Sequence, residues 1–352
     1  MRIVINKSKF SVIEDYLYFF LLIFGLTLPV IRTSSYLLYI FIPLRLFLNL
    51  GGFSSLKLCL HTSYFSNIFK LYVLLVLYTC FVTIVHLQFD FSLIPTLVNV
   101  VIHLFACLLF VSLLICKKRN TRYVYELMIN IFLIQSIIEI CAYLNPNVLG
   151  FVQKFQSNTT VELASQFSGR RGLALAGTVF FGLSSTFGLI FIIINQRFIN
   201  LKQNSYKYIL ITLLIFIGAF FTGRTFFVGL GIGLLMYYLS SIPKKIKLNY
   251  TIKIIFIFIA LLLIIISILP EDLYNHVSNL IWYVFEAAYN YVDYGTLSTS
   301  SSDTLMNDMY FPISLSTFFC GDGIYTGYDG AYYMHTDSGY MRNILYGGII
   351  CC

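Results

Sequence analysis

Long apolar runs follow one another along this chain, and they restrict its fold more than any other feature. They cover Tyr16–Ile31, Tyr36–Leu50, Ile68–Leu87, Leu93–Cys116, Tyr123–Leu144, Leu173–Asn195, Tyr208–Phe221, Thr225–Leu239 and Ile252–Leu269, with one more starting near Met341. A bilayer offers no water to satisfy peptide N–H and C=O groups, so runs of about 20 apolar residues cross it as helices. Only 11% of residues are charged and 59% are hydrophobic, against about 25% charged in a soluble domain. The expectation is an all-α, polytopic helical membrane protein with about 10 transmembrane segments, residues 1–352 forming a single integral membrane domain. A soluble multidomain protein is excluded. The first apolar run lacks a small-residue cleavage site and is followed by further spans, so it reads as a helix rather than a cleaved signal. The tenth run stops at Cys352 before it is long enough to cross, which reads as a C-terminal truncation.

The net charge of +8 reflects topology rather than nucleic-acid binding. Placing the N-terminus in the cytoplasm puts 12 of the 13 lysines on the inner side, Lys154 being the exception, in line with the positive-inside rule. Arginine departs from this pattern: Arg32, Arg170, Arg171, Arg224 and Arg342 fall outside, and Arg45 snorkels from the second span to the inner face. The same rule divides Tyr208–Leu239. As one helix it would extend to roughly 48 Å, far beyond a ~30 Å hydrocarbon core. A hairpin turning at Thr222-Gly223-Arg224 keeps Lys207 and Lys244 on one side and sets Arg224 at the outer end.

Two long external loops follow from this topology, residues 145–172 and residues 270–340. The first carries an Asn158-Thr159-Thr160 sequon, and the second holds nine of the 15 acidic residues. Within the second, Leu280–Tyr291 reads as an aromatic helix with Trp282, Phe285 and Tyr289 on one face. It suits either the outer leaflet or packing onto neighbouring spans. Ser298–Ser302 reads as a linker, with Asp303 capping the helix after it.

The most polar, glycine-rich stretch is Phe318–Ile349. Its Gly321, Gly323, Gly327 and Gly330 permit a tight loop. Asp322, His335 and Asp337 are its candidate catalytic groups, able to take a proton from a hydroxyl. They are also ordinary turn and cap residue types. Arg170 and Arg171, at the start of the sixth span between glycines that let backbone approach a ligand, join Arg224 and Arg342 as candidate diphosphate-binding residues. Guanidinium is a planar fork that pairs with phosphate oxygens in bidentate fashion and stays charged. The eight cysteines include no CxxC pair, and no P-loop, GxSxG, HExxH or DxD arrangement occurs. Neither a metal nor a cofactor is therefore expected, and nucleic acid is not an expected partner.

Three stretches in order resemble the bacterial O-antigen and capsular polysaccharide polymerases of the Wzy type, which are related to the O-antigen ligases. They are Arg170-Arg171-Gly172 into Gly177 and Phe180-Phe181-Gly182; Thr222-Gly223-Arg224-Thr225; and Gly321-Asp322-Gly323 with His335-Thr336-Asp337-Ser338-Gly339-Tyr340 and Gly347-Gly348. The resemblance covers about the last half of the chain. It implies a metal-independent glycosyltransferase of the C type in the bacterial inner membrane. Such an enzyme moves a growing glycan between undecaprenyl-diphosphate carriers, with donor and acceptor both lipid-linked, alongside a flippase and a chain-length regulator. By position, Arg171 and Arg224 would hold diphosphate and the His335–Asp337 loop would cover the reacting groups. His335 to Gly347-Gly348 fits the ligase pattern poorly, which favours polymerase over ligase. A flippase or transporter of lipid-linked sugars is the rival from another class, and a non-catalytic envelope assembly partner a third.

Overall fold

The computed structural model describes residues 7–28, 33–49, 51–165, 171–177, 180–201, 206–241 and 285–351, together with 243–245, 247–249, 251–253, 256, 278 and 281–283. Its helices are α1 (Lys7–Phe24), α2 (Ser35–Leu48), α3 (Gly52–Leu60), α4 (Ser63–His86), α5 (Leu93–Cys116), α6 (Thr121–Leu144), α7 (Pro146–Gln153) and α8 (Asn158–Ser165). They continue with α9 (Phe181–Leu201), α10 (Tyr206–Phe220), α11 (Phe226–Leu239), α12 (Glu286–Tyr294), α13 (Ser300–Thr304), α14 (Leu315–Cys320) and α15 (Gly339–Gly347). No strand occurs among the described residues, where β pairing is limited to one isolated bridge, Thr326 to Tyr332. The helices α4, α5 and α6 are each long and apolar enough to cross a membrane, and α2, α10 and α11 are apolar but shorter. The expected all-helical membrane character is therefore present. The ninth expected span, Ile252–Leu269, lies largely outside the described residues.

The described chain falls into two compact units, one of Met1–Leu50 with Leu113–Val284 and one of Gly51–Ser112 with Phe285–Cys352.

In the first unit α9 is the central element. Its end faces the start of α6, where Arg197 donates to Glu126 at 2.8 Å and Tyr208, at the start of α10, donates to the same carboxylate. Its beginning faces the α10–α11 break, where Ser184 Oγ donates to Gly223 O at 3.0 Å and accepts from Phe226 N at 3.0 Å. So α6 and α10 run parallel, α9 runs against them, and α11 runs with α9. The chain does reverse between α10 and α11 as the lysine pattern requires. The two arms pack on different partners, however: α10 on α6 and α11 on α9. Both contacts use glycine as a close-approach residue. A Cβ on Gly229 would overlap the Gly188 carbonyl, and one on Gly218 would overlap Ser136. Small residues at such crossings let helix backbones touch in a medium where burying apolar surface drives little association. Aromatic rings fill the rest, with Phe132 edge-on to Phe24 at 5.4 Å and to Phe187 at 5.1 Å.

This unit has two chemically different ends. At one, Glu14 and the fully buried Asp15 of α1 receive Arg45, Lys117, Arg119 and Tyr123. Arg45 thus meets Glu14 at the end that holds Lys117, the side to which snorkelling was expected to carry it. Buried charges need this kind of saturation by partners. The other end, ~27 Å along α6 from Glu126 to Leu144 at 1.5 Å per residue, carries Arg171 and Arg224.

In the second unit the C-terminal stretch docks on α4 and the α4–α5 turn. Tyr346 is fully buried with Val82, Leu93 and Leu97. Its hydroxyl lies 2.8 Å from Thr83 Oγ1 and donates to Thr79 O at 3.1 Å. Tyr78 donates to Gly347 O at 2.7 Å. The loop between α14 and α15 needs Gly321, whose φ of +73° and contact with the Tyr346 carbonyl leave no room for a side chain.

Three local expectations change. The sixth span begins at Phe181 rather than Leu173, because residues 173–177 form a buried non-helical segment. The Leu280–Tyr291 helix is interrupted: residues 281–283 are helical, Phe285 has φ −102° and ψ 19°, and α12 starts at Glu286. Thr299 rather than Asp303 caps α13, in a reciprocal box with Ser302, and Asp303 sits in the first turn.

Candidate functional site

Arg171 and Arg224 come from segments 53 residues apart in sequence and are brought together by the first unit's packing. Arg171 opens the segment 171–177. Buried Gln156 holds this segment by donating to Gly172 O at 2.9 Å and Ala174 O at 2.7 Å, and Gly177 N donates to Phe24 O at 2.8 Å. Leu173, Ala174 and Ala176 are buried beneath it. Gly172 is needed here because a Cβ would overlap Ala164, so its close approach is to α8 rather than, as expected, to a ligand. Arg224 lies in the α10–α11 break that Ser184 clamps. Thr222 finishes that turn by donating to Ala219 O at 2.8 Å.

Both guanidinium groups face one ring. Arg224 Cζ lies 4.2 Å and Arg171 Cζ 5.1 Å from the Tyr283 ring centroid. The π face attracts cations, and a stacked guanidinium keeps its in-plane N–H donors for other partners. Burial, followed by the positive charge of Arg224, pulls Arg171 down to about 10 from the usual guanidinium range. Negative charge stabilises two like charges brought this close, and phosphate oxygens are acceptors that guanidinium recognises. The Tyr283 hydroxyl is enclosed, with no hydrogen-bond partner among the described residues. Nothing in the sequence spacing ties residue 283 to residues 171 and 224. The available signal was a tyrosine within an aromatic stretch on the same expected side as the arginines. Arg170 lies outside the described residues.

The second unit holds the remaining candidates and brings Arg342 to within 4.0 Å of Asp337. Asp322 accepts from Thr317 Oγ1 at 2.8 Å and from Tyr333 Oη at 3.5 Å, and its amide donates to Leu345 O. His335 is exposed at φ +55°, and its Nε2 lies 3.6 Å from Asp329 Oδ2, a carboxylate outside the expected catalytic set. Asp337 is exposed, 4.0 Å from Arg342. Arg342 itself lies over two rings, with its Cζ 3.4 Å from the Tyr332 centroid and 4.2 Å from that of Tyr325. The guanidinium thus links the two tyrosines of the loop.

Sequence reasoning also passed over Asp90, in the α4–α5 turn. Its Oδ2 accepts from Tyr325 N at 2.6 Å and Thr326 N at 2.8 Å, and its Oδ1 from Ser92 N at 2.9 Å. Burial raises its proton affinity, but hydrogen bonds from Ser92, Thr326 and Tyr325 outweigh that and hold the carboxyl below the usual range. Asp90 thereby fixes the glycine-rich loop to α4 and α5.

The fold and this site define a helical membrane protein with an arginine pair set over a tyrosine. Compared with protein-family models, with curated proteins and with solved structures, the chain matches none.

Proposed function

We propose that the chain is a membrane glycosyltransferase that polymerises undecaprenyl-diphosphate-linked oligosaccharide repeats into O-antigen or capsular polysaccharide. It would act from the outer face of the bacterial cytoplasmic membrane, with its N-terminus inside, about 10 spans and no metal. The observation that carries this reading is the convergence of Arg171 and Arg224 on one ring. The lysine-rich, acid-paired opposite end of the same unit supports the orientation.

The chemistry suits the residues. A diphosphate carrier is a good leaving group, so a strong general acid at the departing oxygen is unnecessary. What the step needs is fixed positive charge where the diphosphate gains negative charge. Arg171 and Arg224 supply it as two forks on a shared shelf. A hydroxyl on the acceptor sugar attacks the anomeric carbon, the bond to the diphosphate oxygen breaks, and the hydroxyl proton passes to a base. Among the expected candidates of the second unit, His335 and Asp337 are exposed, whereas Asp322 is already engaged by Thr317 and Tyr333.

Deleting the gene and profiling the surface glycan tests this. A polymerase defect leaves single repeat units on the surface anchor. Absence of any unit from the surface, with units trapped inside, would indicate a flippase, and long chains held on the lipid carrier would indicate a ligase. Either of those results removes the polymerase reading.

A further inference from the structure

We infer that Tyr283 is a third binding residue of the anion seat made by Arg171 and Arg224, its hydroxyl donating to a phosphate oxygen. This inference rests on the diphosphate reading above and names a ligand group that the reading does not contain.

Three features of the side chain point the same way. Its ring faces both guanidinium groups, at 4.2 and 5.1 Å from the two Cζ atoms. Its hydroxyl is enclosed, with no hydrogen-bond partner among the described residues. It belongs to the short helical stretch 281–283, beside exposed Trp282. If the ring served only as a stacking shelf, phenylalanine would do the same work. It would also avoid the standing penalty of an enclosed hydroxyl without a partner among the described residues. A phenol beside two cations makes sense when an acceptor of opposite charge comes between them. Phosphate oxygens are such acceptors, and a phenolic O–H donates to them without changing its protonation state. The ring then supports the two guanidinium groups while the hydroxyl adds a neutral donor beside them.

The test is binding of inorganic pyrophosphate to the purified full chain, by titration calorimetry, for wild type, Tyr283→Phe and Tyr283→Leu. Tyr283→Phe keeps the ring and removes only the hydroxyl. Its expected effect is a roughly tenfold or greater loss of pyrophosphate affinity, the range for a hydrogen bond to a charged group. Thermal stability without ligand should stay equal or rise. Tyr283→Leu should lose more, because the shelf goes too. If Tyr283→Phe binds pyrophosphate as tightly as wild type while Arg224→Ala does not, the hydroxyl has no part in binding and the inference fails, leaving the arginine reading in place. If wild type does not bind pyrophosphate at all, both fall. A parallel arm offers phosphatidylglycerol in nanodiscs. Binding of that lipid in place of pyrophosphate, with the same dependence on Tyr283, would keep the hydroxyl donor but assign the seat to a phospholipid headgroup, overturning the diphosphate reading.

Discussion

Replacing Arg224 by lysine keeps one positive charge in the break between α10 and α11 and removes two things, the planar fork and the flat face stacked 4.2 Å from Tyr283. An ammonium cannot make the paired in-plane bonds of a guanidinium, so at least one hydrogen bond to a charged oxygen is lost, worth about 1.5–3 kcal/mol. Weaker stacking on the ring adds about 0.5–1 kcal/mol. Together the change is about 2–4 kcal/mol, or a roughly 30- to 1,000-fold weaker affinity at 1.4 kcal/mol per factor of ten. Pyrophosphate titration against the purified protein measures this directly, and the length distribution of the glycan made by a strain carrying Arg224→Lys measures its consequence. The turn keeps the hydrogen bonds of Ser184, Gly223 and Thr222 in this variant. A lysine variant that binds pyrophosphate within about twofold of wild type, well inside the range above, and makes full-length chains would refute a bidentate role for this residue.

Arg171 should make anion affinity and stability respond to alkali in opposite directions. Its folded value of about 10 lies below the ordinary guanidinium range, so above about pH 10 the unfolded chain binds more protons and stability rises with pH. Pyrophosphate affinity should fall through the same window, and Arg171→Met should remove both trends when compared by calorimetry and thermal unfolding. Gly229→Ala should destabilise the protein by about 1–3 kcal/mol through overpacking, because a Cβ there overlaps the Gly188 backbone. Gly231→Ala, with nothing within 4 Å, should be neutral or stabilising by about 0.5–1 kcal/mol; equal effects in thermal unfolding would contradict the α9–α11 crossing. Asp90→Ala should leave the Tyr325 and Thr326 amides without their acceptor and speed their hydrogen exchange by roughly ten- to a hundredfold. In the wild type, acid should do the same, because a carboxyl held below the usual carboxylate range loses its stabilising bonds only as pH falls through its lowered value.

The apolar helices were legible because hydrophobic periodicity and length are local properties, and three of them, α4, α5 and α6, are long enough to cross a membrane. Leu93–Cys116 matches α5 at both ends, and α10 and α11 follow the expected limits within two residues. The break at Thr222-Gly223-Arg224 came from charge placement rather than local propensity, since the flanking sequence is continuously apolar. The Leu173–Gly177 segment was read as helix because its composition is that of a span. Its non-helical path depends on Gln156 and Phe24, which are remote in sequence. The candidate site divides in the same way. The residue type made Arg171 and Arg224 stand out, as arginines on a side where lysine is scarce. Tyr283 and Asp90 carry no such mark, because their roles exist only once distant segments meet. The contacts of Arg342 with Tyr325 and Tyr332 were not legible either, since all three meet only once the glycine-rich loop folds.

The most direct measurement is elongation by the purified protein in proteoliposomes supplied with undecaprenyl-diphosphate-linked repeat units, with a chelator present. The expected result is a ladder of lengthening lipid-linked glycans, unchanged by the chelator and shortened by Arg171→Ala or Arg224→Lys. Repeat units that only cross the bilayer without lengthening, or a ladder that ignores both arginine changes, would contradict a polymerase built on this arginine pair.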